Sequence, residues 1–217
     1  MKKNITSILL ATTAVGGFAQ ENAFQIPELS ESFFIEGGIN VKTSKIKHES
    51  NYSNYEETSD LTSYAFTPKV GYNFADNMAV GFHVTIGKDQ AIEEDYFGGQ
   101  TLVETKTLFF GPFVRYSPLT LGKRFRVFFD FGAGYGTIDR DEDDVDRSLT
   151  QFTIGTGLNY FVHEHIAING QLGNLVNYSR SKADFNGGSS TQTDFDVNLN
   201  NFTNILNQAS FGATFFL

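Results

Sequence analysis

From Phe33 to the C-terminus the chain alternates with a period of two in eight separate segments, and one parity of each is almost wholly apolar. Side chains alternate across an extended strand, so each segment reads as a strand with one greasy face. The segments are 33–41, 64–72, 78–86, 108–116, 125–135, 152–160, 166–172 and 209–217. The fifth is the clearest, with Phe125, Val127, Phe129, Phe131, Ala133 and Tyr135 on one face. An even number of strands of about this length is what a closed transmembrane barrel requires.

The second parity decides the environment. In the fifth segment it holds Arg124, Arg126, Phe128, Asp130, Gly132, Gly134 and Gly136, and in the second Ser63, Ala65, Thr67, Lys69, Gly71 and Asn73. A water-soluble sandwich also alternates, but its outer face is rich in Lys, Glu and Thr. A barrel in a bilayer turns its large apolar residues to lipid and keeps small residues and a few paired charges inside. Eight strands leave an interior only wide enough for side chains. A soluble, lipocalin-like binder remains the contrasting reading.

The connections alternate in length. Ser44 to Asp60, Lys88 to Thr101, Thr137 to Ser148 and Asn177 to about Ile205 are long and polar, while Ala75 to Asn77, Ser117 to Lys123 and Val162 to His165 are short. That is the pattern of a barrel with one end facing the cell exterior and the other the periplasm. Tyr72, Tyr116 and Tyr160 fall on the apolar parity just before short turns, and Tyr64 and Tyr135 take matching places near long ones. Together they form a candidate aromatic girdle at the membrane surfaces. Phe195, Val197 and Leu199 alternate with Asp194, Asp196 and Asn198, so the last strand is expected to start within 193–206. Pro68 and Pro112 lie inside strands, where each forfeits a ladder hydrogen bond, and a bulge or local kink is expected at each.

Residues 1–19 read as a secretory signal peptide: Lys2 and Lys3 precede an apolar run from Ile5 to Phe18, with small residues before a cut after Ala19. Residues 20–31 form a short N-terminal segment and 32–217 the barrel. Loss of the two lysines takes the formal charge from −9 to −11, which argues against nucleic acid as a partner. The chain has no Cys, which removes disulfides and thiolate metal sites.

Glu36, Lys69, His83, Arg115, Arg124, Arg126 and Asp130 all have interior parity. If the fourth and fifth strands fold about the Ser117 to Lys123 turn, Arg115 lies near Arg126 and Gly111 near Asp130. Buried charges must be paired, so Glu36, Lys69, Arg115, Arg124, Arg126 and Asp130 form either a salt-bridged plug or the lining of a narrow ion path.

Other polar groupings are weaker. Asp139, Asp141 and Asp143 are spaced like the start of an EF-hand loop, but Asp144 stands where Gly belongs and Thr150 where Glu belongs. A solvated acidic loop that loosely collects divalent cations fits better. His163 and His165 share a strand face without a further ligand, and His48 with Ser44, Glu49 and Ser50 lies in a plain polar loop. We expect no catalytic residues, no metal site and no cofactor.

With its signal segment, alternating strands, the run Phe131-Gly-Ala-Gly-Tyr-Gly136 and the closing Phe211-Gly-Ala-Thr-Phe-Phe-Leu217, the chain resembles the small bacterial outer-membrane β-barrel family of OmpX, the opacity-type proteins and the OmpA transmembrane domain. The resemblance covers nearly all of the mature chain. It implies an eight-stranded antiparallel up-and-down barrel in a Gram-negative outer membrane, with its N-terminus in the periplasm. Family members end in an aromatic residue read by the barrel-assembly machinery. This chain ends in Leu217, with Phe211 and Phe215 on the same face, and these three are the expected assembly signal. The implied partners are outer-membrane lipids and lipopolysaccharide, the assembly machinery and periplasmic chaperones, for a monomer. The function expected is a plugged barrel that anchors four extracellular loops in a structural or surface-interaction role. A small gated pore is the alternative, and enzymatic activity is not expected.

Overall fold

A computed structural model describes residues 26–49, 56–94, 100–141, 145–185, 187–197 and 210–217. Nine antiparallel strands run in chain order: β1 (Ser32–Glu49), β2 (Glu56–Ala75), β3 (Met78–Glu94), β4 (Gln100–Leu121), β5 (Phe125–Arg140), β6 (Asp146–His163), β7 (Ile166–Phe185), β8 (Gly188–Val197) and β9 (Ser210–Phe216). Strands β1 to β7 pair in sequence, β7 pairs with β9, and β9 pairs back to β1, so eight strands close a ring. Closure leaves no sheet edge along that part of the wall.

Exposure follows the sequence parity. Phe33, Ile35, Ile39, Tyr64, Phe66, Val70, Phe82, Phe110, Phe131 and Phe215 all point outward and are exposed, whereas Phe34, Glu36, Arg115, Phe128, Asn159, Asn169 and Thr214 are buried. A soluble sandwich would bury the first group, so this inversion of the usual order removes the soluble-binder reading.

The ring has two unlike ends. At one, the turns are tight: Asp76 and Asn77, residues 122–124, and Glu164 and His165. At the other, the segments expected as loops are largely sheet. β1 runs to Glu49 and β2 restarts at Glu56, and β3 and β4 pair out to Glu94 and Gln100. Their Thr, Ser, Lys and Glu residues are polar on both faces, which suits a hairpin standing in water once the ladder has been started by the apolar rows below.

The last strand departs from expectation. Its outer part is β8, which begins at Gly188 rather than within 193–206 and, among the described residues, pairs with β7 alone, from Val176↔Val197 to Phe185↔Gly188. Its inner part is β9, which closes the barrel. The β7–β8 hairpin is exposed along all of β8.

The expected bulges at Pro68 and Pro112 are absent. Gly37↔Pro68 and Phe82↔Pro112 keep register, and pairing lapses only toward the opposite neighbour. A strand residue donates its N–H to one side only, so each proline loses a single bond without displacing the strand. The shift occurs instead between Tyr116 and Leu119, the stretch that contains Pro118. The β4–β5 turn sits at residues 122–124, later than the sequence reading placed it, where Gly122 supplies a φ of 63°. That displacement sets Arg115 opposite Asp130, and not near Arg126.

Candidate functional site

The bore is crossed by a quartet of charges. Glu36 comes from β1, Lys69 from β2, Arg115 from β4 and Asp130 from β5. The Arg115 fork donates through Nη1 to Glu36 Oε2 at 2.8 Å and through Nη2 to Glu36 Oε1 at 3.2 Å. Its other edge donates through Nε to Asp130 Oδ1 at 2.7 Å and through Nη2 to Asp130 Oδ2 at 2.8 Å. Lys69 Nζ lies 2.8 Å from Asp130 Oδ2 and 3.4 Å from Glu36 Oε1. Two cations therefore share two carboxylates in a neutral, bidentate arrangement, the strong form of such pairs.

Neutral groups complete the shell. Gln171 of β7 donates to Glu36 Oε1 at 3.3 Å, and Thr214 of β9 to Glu36 Oε2 at 3.0 Å. Asn169 donates in turn to the Thr214 hydroxyl at 2.9 Å. Six of the eight ring strands thus converge on one network. Burying charge is costly unless each lone pair and proton is used, and Glu36 accepts hydrogen bonds from three residues, Arg115, Gln171 and Thr214, with Lys69 beside it as an ion pair.

Much of the remaining interior is occupied by phenylalanine rings, which the expectation of a small and polar lumen missed. Four inward rings stand directly across the ladder from a glycine: Phe34↔Gly71, Gly81↔Phe113, Phe109↔Gly136 and Phe128↔Gly157. A Cβ at Gly71, Gly81 or Gly157 would collide with the Phe34, Phe113 or Phe128 ring respectively. Each glycine is therefore the floor on which a ring lies. The signal was in the sequence, because these Phe residues sit on the small-residue parity. The Arg115 guanidinium stacks 4.0 Å from the Phe128 ring centre, with Phe34 and Phe113 at 5.3 and 5.7 Å. This cation–π cage covers the faces of the guanidinium that hydrogen bonds cannot use.

Arg124 and Arg126 do not join the quartet. Arg126 donates to the Asp76 backbone carbonyl at 2.9 Å, with Asp76 Oδ1 at 3.4 Å, and Arg124 to the Phe161 carbonyl at 3.1 Å. Both serve the short-turn end. There the segment before β1 folds under the ring: Leu29 is buried with Phe34, Phe161 and Phe216, and its N–H donates to Asp76 Oδ1 at 3.0 Å. Phe161 and Phe216 stack at 5.4 Å. Asp76 and Leu29 were not foreseen.

Above the quartet, toward the hairpin end, lies a cavity of about 280 Å³ whose floor includes Lys69 and Asp130 and whose wall includes His83. The five girdle tyrosines point outward, with Phe33 packed on Tyr72 at 4.9 Å and Phe125 on Tyr160 at 4.8 Å. Phe211, Phe215 and Leu217 are exposed on the outer face of β9 and beyond it. The rings of His163 and His165 lie 5.9 Å apart, and His163 Nδ1 accepts from the His165 N–H. In the acidic stretch Asp141 pairs with Lys106 at 3.0 Å, while Asp143 and Asp144 lie outside the described residues. So do the expected signal peptide and the side chains of Ser44, His48, Glu49 and Ser50.

A family model described as "Outer membrane protein beta-barrel domain" matches residues 8–203. The chain belongs to that family. Among solved structures, OprG of Pseudomonas aeruginosa superposes with a TM-score of 0.54 at 15% identity, covering 89% of this chain and 99% of that one. Outer membrane protein W of E. coli gives 0.44 at 13% identity, covering 88% and 100%. Ail, the attachment invasion locus protein of Yersinia pestis, solved with the heparin analogue sucrose octasulfate, gives 0.41 at 14%, covering 87% and 99%. No curated protein sequence matches the chain.

Proposed function

We propose that this outer-membrane barrel is a closed anchor: its bore is sealed by the Glu36–Lys69–Arg115–Asp130 quartet, and its work is done by the hairpins that stand outside the cell. The quartet carries the reading. Glu36 and Arg115 are held together from strands three places apart around the ring, and rings of Phe34, Phe113 and Phe128 fill the space beside them. Residues 1–19 direct export, the short-turn end faces the periplasm, and the chain acts as a monomer without catalytic activity. Its partners are lipids and lipopolysaccharide around the belt, and chaperones and the assembly machinery during insertion.

Reconstitution in a planar bilayer tests this. The wild type is expected to give no steady conductance, and Arg115→Ala to give openings. A steady wild-type channel would sink the proposal. It would favour the second reading, a gated pore, which draws on the cavity that already reaches the quartet from one side.

A further inference from the structure

The cavity above the quartet is lined with chemistry that sealing does not require. Amide and hydroxyl groups of Thr67, Thr85, Gln151, Thr153, Asn174 and Ser210 surround it, with the edges of Phe109, Phe113 and Phe128 between them. A part of the bore that served only to be closed would be expected to be filled, yet the three rings that reach this wall, Phe109, Phe113 and Phe128, leave it open between them. Here the side chains are short and polar and leave about 280 Å³ free, near the lower end for small-molecule sites.

The hydrogen-bonding inventory is incomplete in a telling way. Thr67 and Thr85 satisfy one another at 3.0 Å, and Gln151 donates to Asn177 at 2.6 Å. His83, Thr153 and Asn174 face the same cavity with no hydrogen-bond partner among the described residues. Their donors and acceptors are open to whatever occupies the space.

Charge then selects among occupants. The floor holds Lys69 and Asp130, but both are committed to the quartet, whose two cations and two carboxylates cancel. A solute with net charge would enter a narrow, partly desolvated space with no counter-charge left for it. An apolar solute would strip the amides and hydroxyls of water and return nothing. What fits is an uncharged molecule dense in hydroxyl groups, with apolar C–H patches to lie on the ring edges.

We propose that this cup binds a small neutral polyol of monosaccharide size, taken from outside the cell and held above the seal. The proposal rests on the sealed-bore reading, because the quartet is the floor of the cup. A hydroxylated ring offers donors and acceptors together, which suits the groups of both kinds at His83, Thr153 and Asn174 that have no partner among the described residues.

The test is a titration of the full-length barrel, refolded in an amine-oxide detergent so that no sugar headgroup competes. Three probes share one carbon skeleton and differ in charge: glucose, glucosamine and gluconate. Binding is read by calorimetry and by shifts of the His83 ring signals. Saturable glucose binding is expected, with glucosamine and gluconate at least tenfold weaker. Thr153→Phe, which fills the cup, should abolish glucose binding, and Asn174→Ala should weaken it several-fold. Heat-modifiable gel mobility verifies that each variant is folded, and Asn174→Ala keeps the test valid if the larger residue disturbs the wall. Tighter binding of either charged probe overturns the proposal, since it would mean an uncompensated charge in the floor. So does the absence of saturable binding by glucose. Conductance and titration fail separately: a silent barrel that does not bind glucose loses the cup alone, and a conducting barrel that binds it loses the seal and with it the closed cup, leaving a polyol site on the wall of a pore.

Discussion

The two halves of the bore solve the same packing problem in opposite ways. Toward the short-turn end, Leu29, Phe34, Phe161 and Phe216 make a continuous apolar cluster, and the segment before β1 packs under the ring. Toward the hairpin end, amides, hydroxyls and glycines share the wall with the rings of Phe109, Phe113 and Phe128 around open space. The quartet is the boundary. Eight strands leave an interior that side chains can fill, and the apolar cluster of the lower half occupies its share, so the open space of the upper half is a property of its residues and not of the strand number.

The sharpest way to break this comparison is to remove the boundary. Arg115→Ala leaves Glu36 and Asp130 buried with Lys69 as their one remaining cation. Breaking a buried pair from one side costs about 3–5 kcal/mol, and the loss should appear as a lower denaturant midpoint in detergent. A change within error would mean that water replaces the guanidinium, and that the boundary is not a seal. Phe128→Ala comes next. It removes the ring stacked on Arg115 and exposes the Gly157 floor, with an expected cost of roughly 3–5 kcal/mol, at the lower end if water enters from the cup.

Leu29→Ala probes the closure of the short-turn end itself. A buried Leu→Ala change in a rigid core costs about 2–5 kcal/mol. Leu29 lies on a short segment tied by its N–H to Asp76 and by the Glu31 N–H to the Asn73 carbonyl, so that segment can withdraw and the cost should fall near the bottom of the range. Faster amide exchange confined to residues 28–31 would show withdrawal. Global destabilisation as large as that of Phe128→Ala would mean instead that the segment is a true part of the lower core.

The sequence carried more of the wall than of the filling. Period-two alternation requires only that one face meet lipid and the other does not, and every strand in the ring obeyed it from Phe33 to Phe215. The members of the quartet had the right parity for the same reason. Their pairing was out of reach, because it turns on whether the β4–β5 turn is centred on Thr120 or on Lys123, and that difference moves the partner of Arg115 from Arg126 to Asp130. Local composition around Pro118 is compatible with both. The inward Phe residues were legible in principle, but only as pairs: a ring on the small-residue parity becomes interpretable once the register shows a glycine opposite. Asp76 and Leu29 lie outside the alternating segments, so no periodicity could flag them.

The smallest effect belongs to the outer rim, where the chemistry of the quartet recurs in water. Glu104 on the extended part of β4 accepts from Lys88 Nζ at 2.7 Å and from Gln90 Nε2 at 2.7 Å. Those hydrogen bonds, the one from Lys88 first, hold its carboxyl below the usual range. A carboxyl whose pKa is lower in the folded state stabilises the fold above its unfolded pKa. That contribution fades as pH falls through the folded pKa. Here it is small at any pH, since exposed pairs of this kind gain little and are screened by salt. Glu104→Gln should therefore lower the unfolding midpoint only slightly at neutral pH and low salt, and the two proteins should converge as the pH is taken below the carboxyl range or as salt is added. A penalty for Glu104→Gln that rivals Arg115→Ala and survives high salt would erase the distinction between rim and bore, because it would show that the outer hairpins bury their charges as the interior does.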